Sequence, residues 1–84
     1  MYRVLIAEDE SDIAELVSFN LQRESIESIK AKDGIDAIAM AQKELPDLVI
    51  LDLMLPGRDG FQVFKELRLD SRTKNIPILM LTAK

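Results

Sequence analysis

The feature that most constrains the fold is an alternation of short, fully apolar segments with longer segments of helical periodicity. The apolar segments are residues 4–7, 48–51 and 78–81, which read VLIA, LVIL and ILML. Such runs, with no polar residue on either side-chain face, are typical of strands buried on both faces of a parallel sheet. With a weaker strand at 26–31, the order is βαβαβαβ. This order predicts a parallel sheet with helices on both faces.

Capping residues and apolar spacing predict the three helices. Ser11 and Asp12 suit the N-cap of the first helix, Asp33-Gly34 opens the second, and Asp59 suits the N-cap of the third. The apolar positions at helical spacing are Ile13, Leu16, Val17 and Leu21 in the first helix, Ile35, Ala37, Ile38 and Ala41 in the second, and Phe61, Phe64 and Leu67 in the third. The second helix ends at Leu45-Pro46-Asp47. The strand from Ile26 to Ala31 contains Glu27, Ser28 and Lys30, so we expect it near an edge of the sheet.

Composition narrows the chemistry that this chain can perform. Its 84 residues make one domain or part of one, and they include no cysteine and no histidine, which excludes disulfides, thiolate or imidazole metal sites and every histidine-based acid/base mechanism. The net charge of −4 argues against direct contact with nucleic acid. The apolar stretch after Arg3 is much too short for a signal peptide or a membrane span, so we expect a cytoplasmic protein with no membrane partner.

Carboxylates follow the first and third predicted strands. Glu8, Asp9 and Glu10 come after the first, Asp52 after the third, and Thr82 follows the fourth. In open parallel sheets, ligands bind at the carboxyl ends of the strands. If strands one and three are neighbours, their carboxylates converge, and two unit charges ~4 Å apart repel by about 4 kcal/mol at an effective dielectric of 20. A hard divalent cation such as Mg²⁺ would offset this repulsion, with Glu8 and Asp9 recruiting the metal and Asp52 accepting a phosphoryl group.

Each of these residues also has a structural interpretation. Asp52 suits a capping or turn position beside Pro and Gly, and Glu8-Asp9-Glu10 would complement a helix dipole. Thr82 alone would be a strand-end hydroxyl, and Lys84 a solvated lysine. Only the convergence of several side chains at one edge of the sheet favours the functional interpretation.

The sequence resembles the receiver domains of two-component response regulators. The motifs that carry the resemblance are Glu8-Asp9 after RVLIA, then PDLVILDLMLPGRDG at 46–60, and IPILMLTA at 76–83. They span nearly the whole chain in the family's order and spacing. The Glu-Asp-Glu form and the LPGRDG loop are most similar to the subfamily whose receivers precede a winged-helix DNA-binding domain that regulates transcription.

The resemblance implies a flavodoxin-like (CheY-like), doubly wound parallel sheet with strand order 2-1-3-4 for the four strands present. Asp52 would be the phosphoacceptor, and the donor would be a phosphohistidine on a sensor histidine kinase. The implied Mg²⁺ ligands are Asp9 and Asp52 directly, the backbone carbonyl of Met54, and Glu8 through water. Thr82 would be the switch hydroxyl, and the backbone of Ala83 would contact the phosphate.

The chain departs from the family pattern after strand four. Family members continue for about one more helix, strand and helix and include a lysine that pairs with the phosphate, whereas Lys84 lies in a different loop. We therefore expect residues 1–84 to form a single, partial receiver domain, truncated after strand four. The edge of strand four would then be unpaired, and an isolated form would dimerise, swap a segment between copies, or aggregate.

Three functions follow as hypotheses. The leading one is a phosphoacceptor signalling switch, not an enzyme beyond slow autophosphotransfer and autodephosphorylation. The alternative is a structural fragment or chimera module that has the receiver fold but no competent switch. A metal-dependent phosphohydrolase is disfavoured, because Met54 stands where such an enzyme has its general-acid aspartate.

Overall fold

The computed structural model describes residues 2–81, which form one four-stranded sheet and three helices. The strands are β1 (Arg3–Ala7), β2 (Glu27–Ala31), β3 (Leu48–Asp52) and β4 (Ile78–Leu81). The helices are α1 (Ser11–Arg23), α2 (Gly34–Glu44) and α3 (Gly60–Leu69). The strand order is β2-β1-β3-β4 with every neighbouring pair parallel. The predicted element order, strand order and edge position of β2 are therefore confirmed.

Two of the three helix starts have the predicted caps. The Asp33 side chain accepts a hydrogen bond from the Asp36 N–H at 2.7 Å, and the Asp59 side chain accepts one from the Gln62 N–H at 3.0 Å. These bonds satisfy donors that the first turn of a helix otherwise leaves without a partner. The helix that each Asp precedes therefore begins where the sequence predicts.

The start of α1 differs from the prediction. Its N-cap is Glu10, with extended backbone and no side-chain cap, and Ser11 and Asp12 already lie in the first turn. The reason is that the Ala14 N–H donates to the Glu10 carbonyl at 3.0 Å, so the first helical hydrogen bond closes on Glu10. The prediction that Ser11 or Asp12 caps the helix is wrong.

The sheet has two faces with separate cores. The α2/α3 face packs strand residues against α2 and α3, and its buried residues are Leu5, Ala7, Ala31, Ala37, Ala41, Val49, Leu51, Leu55, Val63 and Leu67. The α1 face packs strand residues against α1 alone, and its buried residues are Val4, Ile6, Ala14 and Ile50. Since β1 and β3 contribute to both clusters, they are buried on both faces, as predicted.

Four of the predicted apolar positions lie at the surface. Ile13 and Leu16 of α1, Ile35 of α2 and Phe61 of α3 are all exposed, whereas Ala14 is the buried residue of α1. Their exposed fractions run from 37% to 66%, so the rest of residues 2–81 leaves much of each side chain accessible. Helical spacing identifies an apolar stripe, and tertiary packing decides how much of that stripe is covered.

Strand β4 is covered on one face only. Ile78 and Met80 pack against the core of the α2/α3 face, while Leu79 and Leu81 are 52% and 37% exposed on the α1 face. Within residues 2–81, β4 pairs only with β3. The fully apolar sequence of β4 thus has one uncovered face and one uncovered edge in this part of the chain.

The longest described helix, α1, has 13 residues, and no helix within residues 2–81 has the length and apolar character needed to cross a membrane.

Candidate functional site

Glu8 and Asp52 lie on the same face of the sheet because each continues the side-chain alternation of its strand. Ile6 pairs with Ile50, and both side chains belong to the core of the α1 face. Side chains along a strand repeat with period two, so Glu8 and Asp52, two residues further on, project to that face as well. The backbone continues the ladder here, since the Glu8 N–H donates to the Ala31 carbonyl at 3.0 Å.

Three carboxylates converge at this edge of the sheet. One oxygen from each of Glu8, Asp9 and Asp52 lies within 4.8 Å of the others. Glu8 is only 7% exposed, Asp52 is half-buried, and Asp9 is exposed at the rim. A cluster that grades from buried to exposed combines concentrated negative charge with access from solvent.

The environment of Glu8 disfavours its charge. Burial raises the pKa of this carboxyl above its usual value, and the negative charges of Asp52 and Asp9 raise it further. The Glu10 N–H, which donates to Glu8 Oε2 at 3.1 Å, opposes these effects only in part. The Glu8 carboxyl is therefore harder to ionise than an exposed glutamate.

Asp52 is oriented by the loop that follows it. Residues 53–59, here called the β3–α3 loop, begin with a turn in which the Met54 N–H donates to Asp52 Oδ1 at 3.1 Å. The Met54 side chain is 69% exposed, and Leu55 packs into the core of the α2/α3 face. The loop therefore enters the core at Leu55 while it leaves Met54 beside the carboxylates.

The donor set fits a hard divalent cation. Carboxylate and backbone carbonyl oxygens are the ligands that Mg²⁺ prefers. A protein usually supplies one or two carboxylates to the ion, and water molecules fill other coordination positions. The described residues thus place Glu8, Asp9 and Asp52 together, with Met54 two residues beyond Asp52. The predicted roles of Thr82 and Ala83 fall on residues outside the described range, as does Lys84.

A cavity that the sequence did not predict adjoins the carboxylates. Its volume is about 300 Å³, and its lining includes Glu8, Asp9, Lys30 and Lys32. Lys30 forms an ion pair with Glu15 at 2.6 Å. Lys32 directly follows β2, so the same strand-end rule that selected Asp52 would have found it.

Comparison with known proteins agrees with this geometry. A family model described as the response regulator receiver domain matches residues 4–84. The DNA-binding dual master transcriptional regulator RpaA of Synechocystis sp. is 51% identical over 83 residues, which are 99% of this chain and 34% of that protein. The chain thus spans about a third of the length of this curated relative.

Solved structures with the same fold include two response regulators. The N-terminal domain of a response regulator receiver protein from Methanoculleus marisnigri superimposes with a TM-score of 0.95 at 33% identity, covering 100% of this chain and 68% of that one. The chemotaxis response regulator CheY4 of Vibrio cholerae gives a TM-score of 0.95 at 40% identity, covering 100% of this chain and 70% of that one.

The predicted CheY-like fold and the predicted family are both confirmed by these matches, and RpaA is, by its name, a DNA-binding transcriptional regulator. The winged-helix form of the output domain stays a prediction. Because the family match runs almost from end to end of the sequence, the chain belongs to the response regulator receiver domain family.

Proposed function

We propose that this chain is a phosphoacceptor domain in which Asp52 receives a phosphoryl group from a sensor histidine kinase. The observation that carries the proposal is the convergence of Glu8, Asp9 and Asp52 within 4.8 Å at the carboxyl ends of β1 and β3. A lone structural aspartate would not need two further carboxylates at contact distance. Family membership supports the signalling role.

Mg²⁺ is the proposed cofactor. Asp9 and Asp52 would bind it directly, the Met54 carbonyl would supply a third ligand, and Glu8 would act through water. Burial, and after it the negative charges of Asp52 and Asp9, raise the pKa of Glu8, and a cation at this point would offset the repulsion among the three carboxylates. When bound, Mg²⁺ would neutralise charge on the carboxylates and on the phosphoryl oxygens.

Asp52 supplies the nucleophile. Its free carboxylate oxygen forms a bond to phosphorus while the phosphorus–nitrogen bond of the donor phosphohistidine breaks, and the bonding electron pair leaves with the imidazole, which takes up a proton from water. The hydrogen bond from the Met54 N–H to Oδ1 restricts rotation of the carboxylate, so one oxygen is held while the other attacks. The transfer modifies the chain itself, so it acts as a signalling domain and not as a turnover enzyme.

The proposed switch lies beyond the carboxylates. The Thr82 hydroxyl would turn toward the new phosphoryl group, and the Ala83 backbone would contact it. A DNA-binding output domain would carry the response, by analogy with RpaA. The receiver itself, with a net charge of −4, would make no direct contact with nucleic acid, and we propose that it works in the cytoplasm.

The test is phosphorylation by acetyl phosphate with Mg²⁺, followed by intact mass. We expect a gain of one phosphoryl group in the unaltered chain and none in Asp52→Asn or after chelation of the metal. Asp59→Asn is the matched control, because it makes the same charge change at the far end of the loop that follows Asp52, and Asn caps a helix about as well as Asp. An adduct that persists in Asp52→Asn would contradict the proposal. No adduct with normal Mg²⁺ binding would favour the alternative of a receiver fold without a competent switch.

A further inference from the structure

The β3–α3 loop is hydrogen-bonded to the first residue of α2. The Gly34 N–H donates to the Pro56 carbonyl at 3.0 Å, and the Arg58 N–H donates to the same oxygen at 3.0 Å. The Gly34 donor is one that the start of a helix leaves free, because the Asp33 side chain caps the Asp36 N–H instead. The first backbone N–H of α2 therefore binds the loop that follows the proposed phosphoacceptor.

The contact is too close for any side chain. A Cβ built on Gly34 would overlap the Arg58 carbonyl oxygen and would lie 2.5 Å from the Arg58 Cβ. Gly57 closes the other side of the contact, with a φ of +83° that favours glycine and its own Cβ position 3.8 Å from the Gly34 nitrogen. Gly34 therefore lets a helix terminus and a loop backbone touch directly, and Gly57 supplies the positive φ that the loop needs beside this contact.

Neither side of this contact can move away freely. On one side, α2 is fixed by Ala37 and Ala41, both fully buried. On the other, Arg58 forms an ion pair with Glu66 of α3. The beginning of the loop is fixed as well, since the Gly60 N–H donates to the Leu53 carbonyl at 3.0 Å. A displacement forced at Gly34 acts on the backbone between Leu53 and Arg58, which includes the buried Leu55 and, next to it, Met54.

We propose that Gly34 is a positioning residue for the magnesium and phosphoryl site, acting through the Pro56 and Arg58 backbone on the Met54 carbonyl. This inference rests on the proposed function. Gly34 touches neither ion nor phosphate. Because Gly34 has no side chain, the loop can lie directly against α2. The distance between the loop and α2 then determines where the loop places the Met54 carbonyl.

The experiment compares Gly34→Ala with Ala41→Gly by Mg²⁺ titration followed by NMR, at a temperature where both variants are folded. We expect Gly34→Ala to weaken Mg²⁺ binding about tenfold, as is usual when a residue that supports a metal ligand is altered. Ala41→Gly, on the same helix but away from the loop, should lower the melting temperature and leave Mg²⁺ affinity unchanged. Equal affinity in Gly34→Ala and the unaltered chain would overturn the inference.

The sign of the stability change provides a second readout. In a helix without the loop contact, Gly→Ala stabilises, because alanine has the higher helix propensity and the smaller unfolded-state entropy. We expect Gly34→Ala to lower the melting temperature instead. A higher melting temperature would contradict the steric contact on which the inference depends.

A measurement on the unaltered chain covers the case in which Gly34→Ala does not fold. Mg²⁺ should slow hydrogen exchange of the Gly34 amide, which donates to the loop, and should leave the Asp36 amide, which donates to Asp33, unchanged. Shifted site resonances with unchanged exchange at Gly34 would overturn the inference alone. If Mg²⁺ shifts no resonance in the unaltered chain, the proposed function fails, and the inference fails with it.

Discussion

The two faces of the sheet differ in how many residues they bury and in whether they carry the carboxylates of the candidate site. Among residues 2–81, the α2/α3 face buries ten residues between the strands and two helices, whereas the α1 face buries four beneath a single helix. The carboxylates Glu8 and Asp52 belong to the second, thinly covered face. Among residues 2–81, most of the apolar burial that stabilises the fold is therefore on the face opposite the proposed site residues Glu8 and Asp52.

This separation teaches that stability and function can be altered independently in this chain. A change in the core of the α2/α3 face, away from Gly34 and the β3–α3 loop, should act on folding first and on the site only through unfolding. A change at the end of the α1 face should act on charge, metal binding and association while the fold persists. The following predictions test this division.

Leu51→Ala should have the largest effect on stability. Leu51 is fully buried on the α2/α3 face, and truncation of a buried leucine costs about 2–5 kcal/mol. Leu79→Ala is the matched control on the other face, where the side chain is 52% exposed, and it should cost about 1 kcal/mol or less. Urea unfolding measures both. Equal losses of unfolding free energy would contradict the prediction, because they would show that the α1 face stabilises the fold as much as the α2/α3 face does.

Leu79→Lys should weaken self-association of the 84-residue chain. Within residues 2–81, one edge of β4 pairs with no strand, and this edge together with the exposed Leu79 and Leu81 offers a second copy both backbone hydrogen bonds and apolar surface. We expect the substitution to weaken dimerisation roughly tenfold, which corresponds to about 1.4 kcal/mol.

Sedimentation velocity over a concentration series measures this association. Leu69→Lys, at a side chain 79% exposed near the end of α3, is the matched control and should leave association unchanged. A monodisperse monomer of the unaltered chain at micromolar concentration, with a sharp cooperative melting transition, would contradict the prediction.

Glu8→Gln should change the pH dependence of stability in the absence of Mg²⁺, with a smaller effect. Burial, with the charges of Asp52 and Asp9, raises the pKa of Glu8 in the folded chain, so the folded state binds more protons than the unfolded state. The stabilising contribution of this group is fully present below its usual pKa of 4.5 and is lost as the pH rises through the folded pKa. Above that interval, Glu8→Gln should be more stable than the unaltered chain.

Asp70→Asn should lower stability at neutral pH, which is the opposite of the change expected for Glu8→Gln, and its effect should be the smallest. Hydrogen bonds from Arg72 lower the pKa of Asp70 from 3.8 to about 2. Its contribution is therefore present above pH 3.8 and is lost as the pH falls through about 2. Urea unfolding between pH 2 and 7 measures both variants. A gain in Asp70→Asn at neutral pH, or a loss in Glu8→Gln, would contradict the respective prediction.

The sequence was sufficient for the element order and for the convergence of the carboxylates. Runs such as LVIL identify buried strands, and the alternation that buries Ile6 and Ile50 carries Glu8 and Asp52 to the same face. These inferences need local periodicity and the rules of parallel sheets, together with the neighbouring position of strands one and three, which the family resemblance implies. For the same reason, the strand ends were predicted more reliably than the surfaces of the helices.

What the sequence could not supply depends on contacts between distant residues. Ile35 and Phe61 have the spacing of core residues, yet they are 61% and 66% exposed, because no local pattern reveals whether a neighbouring element covers them. The contact of Gly34 with Arg58 joins residues far apart in the chain, and a glycine at the start of a helix is equally typical of a simple turn. By residue type, Ser11 and Asp12 are better N-cap residues than Glu10. The N-cap is nevertheless Glu10, because its carbonyl accepts the first helical hydrogen bond, and the sequence does not reveal this bond.

The shared alternation of core and carboxylates also restricts how this site can vary by insertion or deletion. Glu8 and Asp52 each stand two residues after a buried isoleucine, so one residue gained or lost within that interval would turn the carboxylate to the opposite face of the sheet. The same event further upstream would turn the isoleucine as well and expose the core. A change in the length of β1 or β3 would therefore disrupt the site, the core or both, whereas substitutions and changes in the loops beyond the strands leave this alternation intact.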